Sequence, residues 1–556
     1  VFDGNTATTN AGVAQIYRGT ATFTGNNVFT SNTSATGGVF HVNGVGVLNM
    51  TGGVFGVEGD SNFEKANKAT GTGNGGGVLY QEKGTVNFTG TEFHYNQSNK
   101  NGGLISLTGA STECTMTNCT FSHNKAVANG GVAYLTNNAI LTLTNCVGKF
   151  NKAVSGGIAQ IYKGRVIVDG TSTYNANVVT GAGGVFYLNN SAASLDMTGA
   201  SILDNVAKDG ASSGSDTSET GAGICATSAS NVTLSSCYFY NNRAGNANNT
   251  DAKEYGGALC IKGATITATL CNFHGNKAER GSVLKMAEGG GLFKADRCSF
   301  HGNKQYSRAA FLINAKNVAM FNQCSFYGQE LRGDSGVYGE QVHGAANTAV
   351  CLNNCSINST KTYDTKGDKK GVAALNSNGH MLLTNSTAIG QYPSSSGGVI
   401  RFGAADSKLS MANCVIVNRN SSNPSIAQTG TNLYCDHNAV GSKNTGLSGN
   451  DNKTGVNASS YTWSAYSGAD NSLDLWKSWF TCSQLTGFNN ATSADVVAAF
   501  TNFTIDASGW GGALASMTHV GNAFKAWLDG FSPAAYAVNQ QGMQRGTLFW
   551  PGSYQN

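Results

Sequence analysis

The sequence has very little proline and little charge. Only 4 of its 556 residues are Pro and only 12% are charged, whereas average proteins contain about 5% Pro and about 25% charged residues. The net charge is +4 and no run of five Lys or Arg residues occurs. The chain therefore lacks the dense basic face that phosphate binding requires, and we expect no nucleic-acid partner. No apolar run approaches about 20 residues, so no direct membrane span is predicted.

Two further absences concern metal chemistry and export. No Cys-x-x-Cys pair of the kind found in zinc sites occurs, so we expect no metal and no cofactor. The first residues, VFDGNTATTN, lack the basic and apolar segments of a signal peptide, which indicates mature or truncated material.

Glycine is the residue type in clear excess, at 74 of 556 residues, and Asn, Ser and Thr are abundant throughout. High Gly with low Pro is typical of many short strands joined by tight turns in which Gly and Asn supply positive φ. The 14 Cys, in a chain of this composition, indicate an oxidising compartment. We therefore predict an extracellular or cell-surface protein.

The main organising feature is an internal repeat of two motifs. The first is Gly-Gly-apolar, most often spaced about 26 to 28 residues apart. Clear copies are Gly102-Gly103-Leu104, Gly130-Gly131-Val132, Gly156-Gly157-Ile158, Gly183-Gly184-Val185 and Gly256-Gly257-Ala258. The second is Phe-x-x-Asn, a few residues upstream of each Gly pair. Its copies include Phe93 with Asn96, Phe121 with Asn124, Phe239 with Asn242, Phe273 with Asn276 and Phe300 with Asn303.

The stretches between the motifs alternate apolar and polar residues with period two, as in Ile140-Leu-Thr-Leu-Thr144. Such alternation predicts strands with one buried face. A repeat of this length with several short strands is one coil of a β-solenoid, here of about 15 coils. We expect the Phe residues to stack inside, the Asn residues to form an internal amide ladder, and the Gly pair to relieve crowding at a tight corner.

The two motifs, recurring in fixed phase over residues 1 to 420, resemble the passenger domains of the chlamydial polymorphic membrane proteins. They are also similar to the wider group of polymorphic-outer-membrane-protein repeats in bacterial and protist surface proteins. The resemblance implies an all-β, right-handed parallel β-helix (a pectin-lyase-like solenoid) exposed at a cell surface, with adhesive or structural roles.

Most cysteines fall in two columns of the repeat, so neighbours in a column lie one coil apart, near the distance that a disulfide tolerates. The candidate pairs are Cys119–Cys146, Cys237–Cys271, Cys298–Cys324 and Cys225–Cys260. The alternative, which the sequence leaves open, is a stack of small buried thiols.

Several Asn residues head Asn-x-Ser/Thr sequons and are glycosylation candidates. They are Asn49, Asn87, Asn118, Asn189, Asn231, Asn248, Asn457 and Asn502. The acceptors at Asn32 and Asn96 belong to the predicted ladder, so we expect them to be buried and unmodified.

The repeat pattern stops near residue 430, which predicts a β-helix over 1–430 and a C-terminal capping region over 431–556. Short helices are predicted at Ser493 to Phe500 and Gly521 to Leu528, with Ser493 or Asn522 near the caps. We expect the tail to cover the last coil, with its Trp and Phe residues plugging the shaft, because an open end exposes unpaired strand edges.

The sequence favours a non-enzymatic surface scaffold: an adhesin, or a subunit of an extracellular filament or coat that assembles head to tail. Its partners would be copies of itself or other surface proteins and glycans. The alternative is a carbohydrate-active enzyme of the pectin-lyase type, a polysaccharide lyase or glycosidase. Such enzymes need several carboxylates clustered on one face. Here the carboxylates are few and scattered, so no catalytic residue is predicted.

Overall fold

The computed structural model describes most of the chain. The described residues are 1–110, 112–207, 220–245, 255–305, 309–327, 329–333, 340–359, 362–364, 375–390, 399–418, 425–428, 430–441, 452–456, 461–465, 478–482, 491–531 and 534. The fold is an all-β, right-handed parallel β-solenoid of about 13 turns with a short helical C-terminal region. The chain divides into two compact units, Val1–Cys260 and Ile261–Asn556.

Each coil contributes one short strand to each of up to four parallel sheets, which we number in the order that follows a Gly pair. In unit 1, sheet 1 consists of Ala14–Ile16, Phe40–Val42, Leu79–Gln81, Ile105–Leu107, Ala133–Leu135, Ala159–Ile161, Phe186–Leu188 and Ile224–Thr227. Sheet 2 consists of Thr20–Thr24, Val47–Thr51, Thr85–Thr89, Glu113–Thr117, Ala139–Thr144, Gly164–Asp169, Ala193–Thr198 and Asn231–Ser235.

Sheets 3 and 4 of unit 1 flank the ladder Asn. Sheet 3 carries the motif Phe and consists of Phe2–Asp3, Val28–Thr30, Val54–Phe55, Glu92–His94, Thr120–Ser122, Val147–Lys149, Thr173–Asn175, Ser201–Leu203 and Tyr238–Tyr240. Sheet 4 consists of Thr33–Ser34, Lys68–Ala69, Gln97–Ser98, Lys125–Ala126, Lys152–Ala153, Val178–Val179, Val206–Ala207 and Arg243–Ala244. The strand Leu259–Lys262 lies where the two units meet in the sequence.

Unit 2 repeats the same four strand positions. Sheet 1 consists of Leu284–Met286, Ala309–Ile313, Glu340–Gly344, Leu375–Ser377, Ile400–Phe402 and Ile426–Gln428. Sheet 2 consists of Thr265–Thr269, Leu292–Asp296, Asn317–Asn322, Thr348–Asn353, His380–Thr384, Lys408–Ala412 and Thr431–Asp436. Sheet 3 consists of Asn272–His274, Ser299–His301, Ser325–Tyr327, Ser356–Ser359, Thr387–Gly390, Val415–Asn418, Ala439–Gly441 and Lys453–Val456. Sheet 4 consists of Lys277–Ala278, Lys304–Gln305, Glu330–Gly333 and Thr362–Asp364.

The hydrophobic core runs inside the coils. In unit 1, Phe29, Phe55, Phe93 and Phe121 occupy one column and are fully buried, and their rings stack in register from coil to coil, for example Phe29 on Phe55 with centroids 4.4 Å apart. Strand pairing keeps this register, because Phe93 lies directly opposite Phe121 on the next coil. The period-two pattern therefore becomes a continuous apolar interior.

The C-terminal region contains helix α1 (Ser493–Asn502), 3-10 turns at Ser508–Trp510 and Gly512–Leu514, and helix α2 (Val520–Asp529). An antiparallel hairpin, Tyr461–Ala465 with Ser478–Cys482, precedes them. The N-caps are Thr492, next to Ser493, and His519, whose side chain accepts from the Asn522 N–H. No helix among the described residues is long and apolar enough to cross a membrane.

The position of these helices differs from the predicted cap over the last coil. They pack against the outward face of sheet 2 in unit 2, where Val318, Met320, Ala349, Cys351 and Leu382 are apolar and buried. The helices contribute Val496, Ala499, Phe500, Phe503, Val520, Phe524 and Leu528 to this cluster. The outward face of sheet 2 in unit 1 instead carries solvated Thr and Asn side chains. The helices therefore cover a lateral apolar face, because exposing it to water would be unfavourable.

Candidate functional site

The predicted Asn residues form a buried ladder in each unit. In unit 1 each Asn side-chain amide donates to the next Asn Oδ1, as from Asn96 to Asn124 at 3.0 Å and from Asn124 to Asn151 at 3.1 Å. The same amide also donates to the carbonyl of the preceding coil's core residue, as from Asn124 to Phe93 at 3.2 Å. In unit 2, Asn276 donates to Asn303 at 3.0 Å. The ladder satisfies main-chain groups where sheet 3 turns into sheet 4.

The Gly pair occupies the corner before sheet 1. Gly130 has φ +68°, and a Cβ on it would lie within 1.9 Å of the Ala133 oxygen. A Cβ on Gly131 would lie 2.4 Å from the Gly157 oxygen of the next coil. Gly256 likewise has a positive φ of +84°, and Gly257 is buried. The first Gly is thus required for conformation and the second for close approach between coils.

The cysteines are stacked thiols, and the structure contains no disulfide among those it describes. The side chains proposed for pairing, Cys119, Cys146, Cys225, Cys237, Cys260, Cys271, Cys298 and Cys324, are all buried thiols. In the first column each Sγ donates to the carbonyl two residues earlier, as from Cys146 to Thr144 at 3.4 Å and from Cys298 to Asp296 at 3.4 Å. Cys225 and Cys260 instead pack with Ala182 in a small apolar cluster. The structure therefore contains buried thiols at these positions and not disulfides.

Thiol reactivity differs within this column, because the hydrogen bond with Cys146 lowers the pKa of Cys119. The hydrogen bond shared with Cys119 and the burial of the site raise the pKa of Cys146, and burial raises the pKa values of Cys298 and Cys324. Because the thiolate is the reactive form, Cys146, Cys298 and Cys324 resist oxidation and alkylation in the native state.

We predict that Cys146→Ser is tolerated and that Cys146→Leu is not. Ser172 occupies the same column one coil later, where its hydroxyl donates to the Asp169 carbonyl at 3.0 Å and accepts from the Cys146 N–H at 3.0 Å. A hydroxyl can therefore replace the thiol, whereas Leu overfills the site. In chemical denaturation, Ser should change the free energy of unfolding by about 1 kcal/mol or less and Leu by about 2 to 3 kcal/mol. Equal losses for both would contradict the hydrogen-bonding role.

The sequon residues divide by exposure. Asn118, Asn231 and Asn502 are exposed, and Asn49, Asn87 and Asn189 are half-buried on their strands and turns. The Asn87 amide donates to Asn49 Oδ1 at 2.9 Å. Asn248 and Asn457 lie outside the described residues. Asn32 and Asn96 are fully buried in the ladder, so a glycan on either is incompatible with the fold.

Two histidines meet on adjacent coils of sheet 3 in unit 2. His274 Nδ1 lies 3.1 Å from His301 Nε2, and the rings are perpendicular. Burial, and then the neighbouring His274, lower the pKa of His301 to about 3. No group of three or more His, Cys, Asp or Glu side chains that could hold a metal ion occurs in the part of the chain that the structure describes.

This pair predicts acid sensitivity. Between pH 6.5, the ordinary pKa of His, and about 3 the unfolded chain binds a proton at His301 that the folded chain does not. Stability from this group is therefore present above pH 6.5 and falls by up to about 1.4 kcal/mol per pH unit as the pH decreases. In urea unfolding across this range, the free energy of unfolding of His301→Gln should depend less steeply on pH than that of the wild type. Part of the slope should remain, because burial lowers the pKa of His380 to about 4. Superimposable profiles would contradict this assignment.

The residue before most ladder Asn residues adopts the left-handed conformation, with Ala66 before Asn67 as an exception. In unit 2 this position holds Gly275 and Gly302, with φ +62° and +58°. In three successive coils of unit 1 it holds a ring instead: Tyr95, His123 and Phe150, with φ from +54° to +59°. A bulky side chain in this region costs roughly 1 to 2 kcal/mol per residue, so these coils carry backbone strain that Gly would avoid.

The three rings form a stack on the outside of unit 1. The centroids of Tyr95 and His123 are 4.5 Å apart, and those of His123 and Phe150 are 4.9 Å apart, both in stacked geometry. Phe63 closes one end against Tyr95. The other end is open, because the next residue in the column is Ala176 and Phe150 remains 43% exposed.

Two lysines lie at the open end, and a third, Lys125, lies one coil back with its Nζ 6.0 Å from the centroid of the Phe63 ring at the closed end. Lys149 and Lys152 flank Phe150 in its own coil, and Lys125 lies opposite Lys152 on the preceding strand of sheet 4. None of the three forms a salt bridge with a described residue. Burial, and then Lys149 and Lys152, lower the pKa of His123, so this ring is neutral at pH 7 and the positive charge of the site comes from the lysines.

We call Tyr95, His123, Phe150, Lys125, Lys149 and Lys152 the Lys–aromatic stripe. Exposed Val127, Val147 and Val154 border it, at 52%, 39% and 43% exposure. Two stacked aromatic pairs contribute about 0.5 to 1.5 kcal/mol each, and burial of Tyr95, which is 9% exposed, adds to this. Three left-handed residues cost roughly 3 to 6 kcal/mol. Strained residues of this kind are found at binding sites, which makes this position a candidate for one.

Sequence analysis did not predict this stripe. The Phe-x-x-Asn motif leaves the two residues between Phe and Asn unspecified. The signal available was an aromatic residue directly before Asn in three successive repeats, at Tyr95, His123 and Phe150. Its meaning depends on the left-handed backbone at that position, which spacing alone does not give.

One buried carboxylate, Asp296, is relevant to the enzyme alternative. Asp296 is the carboxylate among the described residues whose pKa burial raises, and both of its oxygens are engaged. Its Oδ2 accepts from Arg297 Nε at 2.8 Å and its Oδ1 accepts from the Asn322 amide at 2.7 Å. A carboxylate held in this way is not available as a general base.

Comparisons with protein-family models, curated proteins and solved structures found no match for this chain. The class that the fold defines is a parallel β-helix repeat protein.

Proposed function

We propose that this protein is an extracellular surface scaffold of the polymorphic-membrane-protein type, which presents a binding face on stacked coils and performs no chemistry itself. The observation that supports this proposal is the Lys–aromatic stripe. It joins an open ring face, unpaired lysines and a strained backbone on a part of the coil that the amide ladder holds fixed.

The architecture suits display. Within unit 1 each coil is fixed to the next by main-chain hydrogen bonds and by the ladder, so side chains on the outer face keep a spacing of about 4.8 Å from coil to coil. A binding face built on such elements loses little conformational entropy when a ligand docks. This favours binding of extended partners over catalysis.

Adhesion of coated beads tests this proposal. Beads carrying the purified protein, and beads carrying albumin, are counted on cultured cell monolayers and on printed arrays of neutral and acidic glycans. We expect the protein to retain beads and the triple variant Phe150→Gly, Lys149→Gln, Lys152→Gln to lose retention. Binding no better than albumin on every surface would contradict adhesion, and filaments seen by negative-stain electron microscopy would then favour the structural role. Shortening of a polysaccharide by the soluble protein would favour the enzyme alternative.

A further inference from the structure

The Lys–aromatic stripe has the chemistry of a carbohydrate subsite with an acidic preference. Its apolar element is a single open ring face at Phe150, the size of one sugar ring, and not a broad apolar surface. Around it lie hydrogen-bonding side chains, since Asn175 is opposite Lys149 on the next strand. Sugars combine an apolar face of C–H groups with a rim of hydroxyls, which matches this mixture of ring and amide.

The charge of the stripe adds a requirement for an anion. Lys149 and Lys152 lie on either side of Phe150, and Lys125 extends the charge by one coil. In a chain with only 12% charged residues, three lysines without carboxylate partners in adjacent coils form a local positive site. Glu58 is the acidic group that acts on His123, and its effect is the weakest of those on that ring.

We propose that the Lys–aromatic stripe binds an acidic polysaccharide. One carboxylated sugar ring stacks on the open face of Phe150, in the space above Ala176, and its carboxylate pairs with Lys149 or Lys152. A neighbouring acidic sugar reaches Lys125 on the preceding coil of unit 1. This inference rests on the proposed scaffold function and specifies its ligand class.

The choice of a polysaccharide over a nucleic acid follows from the number and spacing of the charges. Three lysines supply few phosphate contacts, whereas nucleic-acid sites of useful affinity neutralise about 6 to 10 phosphates. A protein partner would require a buried core of about 800 Å² on each side, and the apolar part of the stripe is one ring with three bordering valines.

The experiment measures binding of the intact protein to polygalacturonate by biolayer interferometry at low and high salt. Neutral dextran and a double-stranded DNA oligomer are the comparison probes. We expect binding to polygalacturonate that weakens with salt, none to dextran, and weaker binding to DNA. Phe150→Gly and the pair Lys149→Gln, Lys152→Gln should each reduce affinity about tenfold, and Lys83→Gln, an exposed lysine away from the stripe, should not.

Thermal melting separates a binding role from a structural one. Gly suits the left-handed backbone at residue 150, so Phe150→Gly should melt at the wild-type temperature or above while binding is lost. A lower melting temperature with unchanged binding would overturn the proposal, as would equal affinity for DNA or no binding to polygalacturonate. If polygalacturonate fails while coated beads still adhere to cells, the ligand class is wrong and the scaffold function stands.

Discussion

Replacing Gly131 with Ala is expected to destabilise the coil stack by about 4 kcal/mol or more, among the largest effects of any single substitution. The new Cβ would lie 2.4 Å from the Gly157 oxygen and 3.1 Å from the Lys152 oxygen. Both are main-chain atoms of the next coil, and the hydrogen bond from the Gly131 N–H to the Gly156 carbonyl at 2.9 Å fixes the separation. No side-chain rearrangement can relieve the overlap, so the coils must separate.

Gly73→Ala is the matched control. Gly73 is exposed, has no atom within 4 Å of an added Cβ and does not have a positive φ. The substitution adds the same methyl group where nothing opposes it, and Ala should be neutral or slightly stabilising through the unfolded chain. Guanidinium unfolding followed by circular dichroism measures both variants. Equal unfolding midpoints for the two variants would contradict the claim that the coils approach too closely at Gly131 to accept a Cβ.

Replacing Asn124 with Ala is the second large effect, about 3 to 5 kcal/mol. Asn124 is fully buried and has four ladder contacts. Its Oδ1 accepts from the main-chain N–H and the side-chain amide of Asn96, each at 3.0 Å. Its amide donates to Asn151 Oδ1 and to the Phe93 carbonyl. Ala removes the acceptor for the Asn96 main-chain N–H and side-chain amide and the donor to the Phe93 carbonyl, whereas Asn151 Oδ1 still accepts from the main-chain N–H of residue 124. Each buried unsatisfied group costs about 1 to 3 kcal/mol.

The control for the ladder is Asn231→Ala, at an exposed position on sheet 2 of the same unit. Denaturant unfolding should show a change within about 0.5 kcal/mol for this surface site. A loss at Asn124 no greater than at Asn231 would mean that the ladder does not hold the coils. The ladder requires the amide group and not one side-chain length, since Gln329 accepts from the Asn303 N–H at 2.9 Å and donates to the Phe300 carbonyl at 2.8 Å.

The sequence by itself determined the β-solenoid, the interior Phe column, the Asn ladder and the role of the Gly pair. In a repeat of about 27 residues, a residue's spatial neighbours on the next coil are its equivalents in the sequence. The period of the sequence therefore predicts tertiary contacts such as that of Phe93 with Phe121. The strand alternation and the repeat length both predict stacked parallel strands, so the local pattern and the long-range pairing agree on the fold.

Only the tertiary structure decided the features that do not repeat. The contact of Ser410 with the Ala499 carbonyl joins residues 89 apart and places the helices against the side of sheet 2, where no period could predict it. The thiols could form disulfides or hydrogen bonds at the same coil spacing, and the orientation of Sγ toward the carbonyl two residues earlier selects the second. The stripe depends on the left-handed backbone at Phe150, which turns the ring outward. The alternating pattern of the strands does not assign this ring to either face.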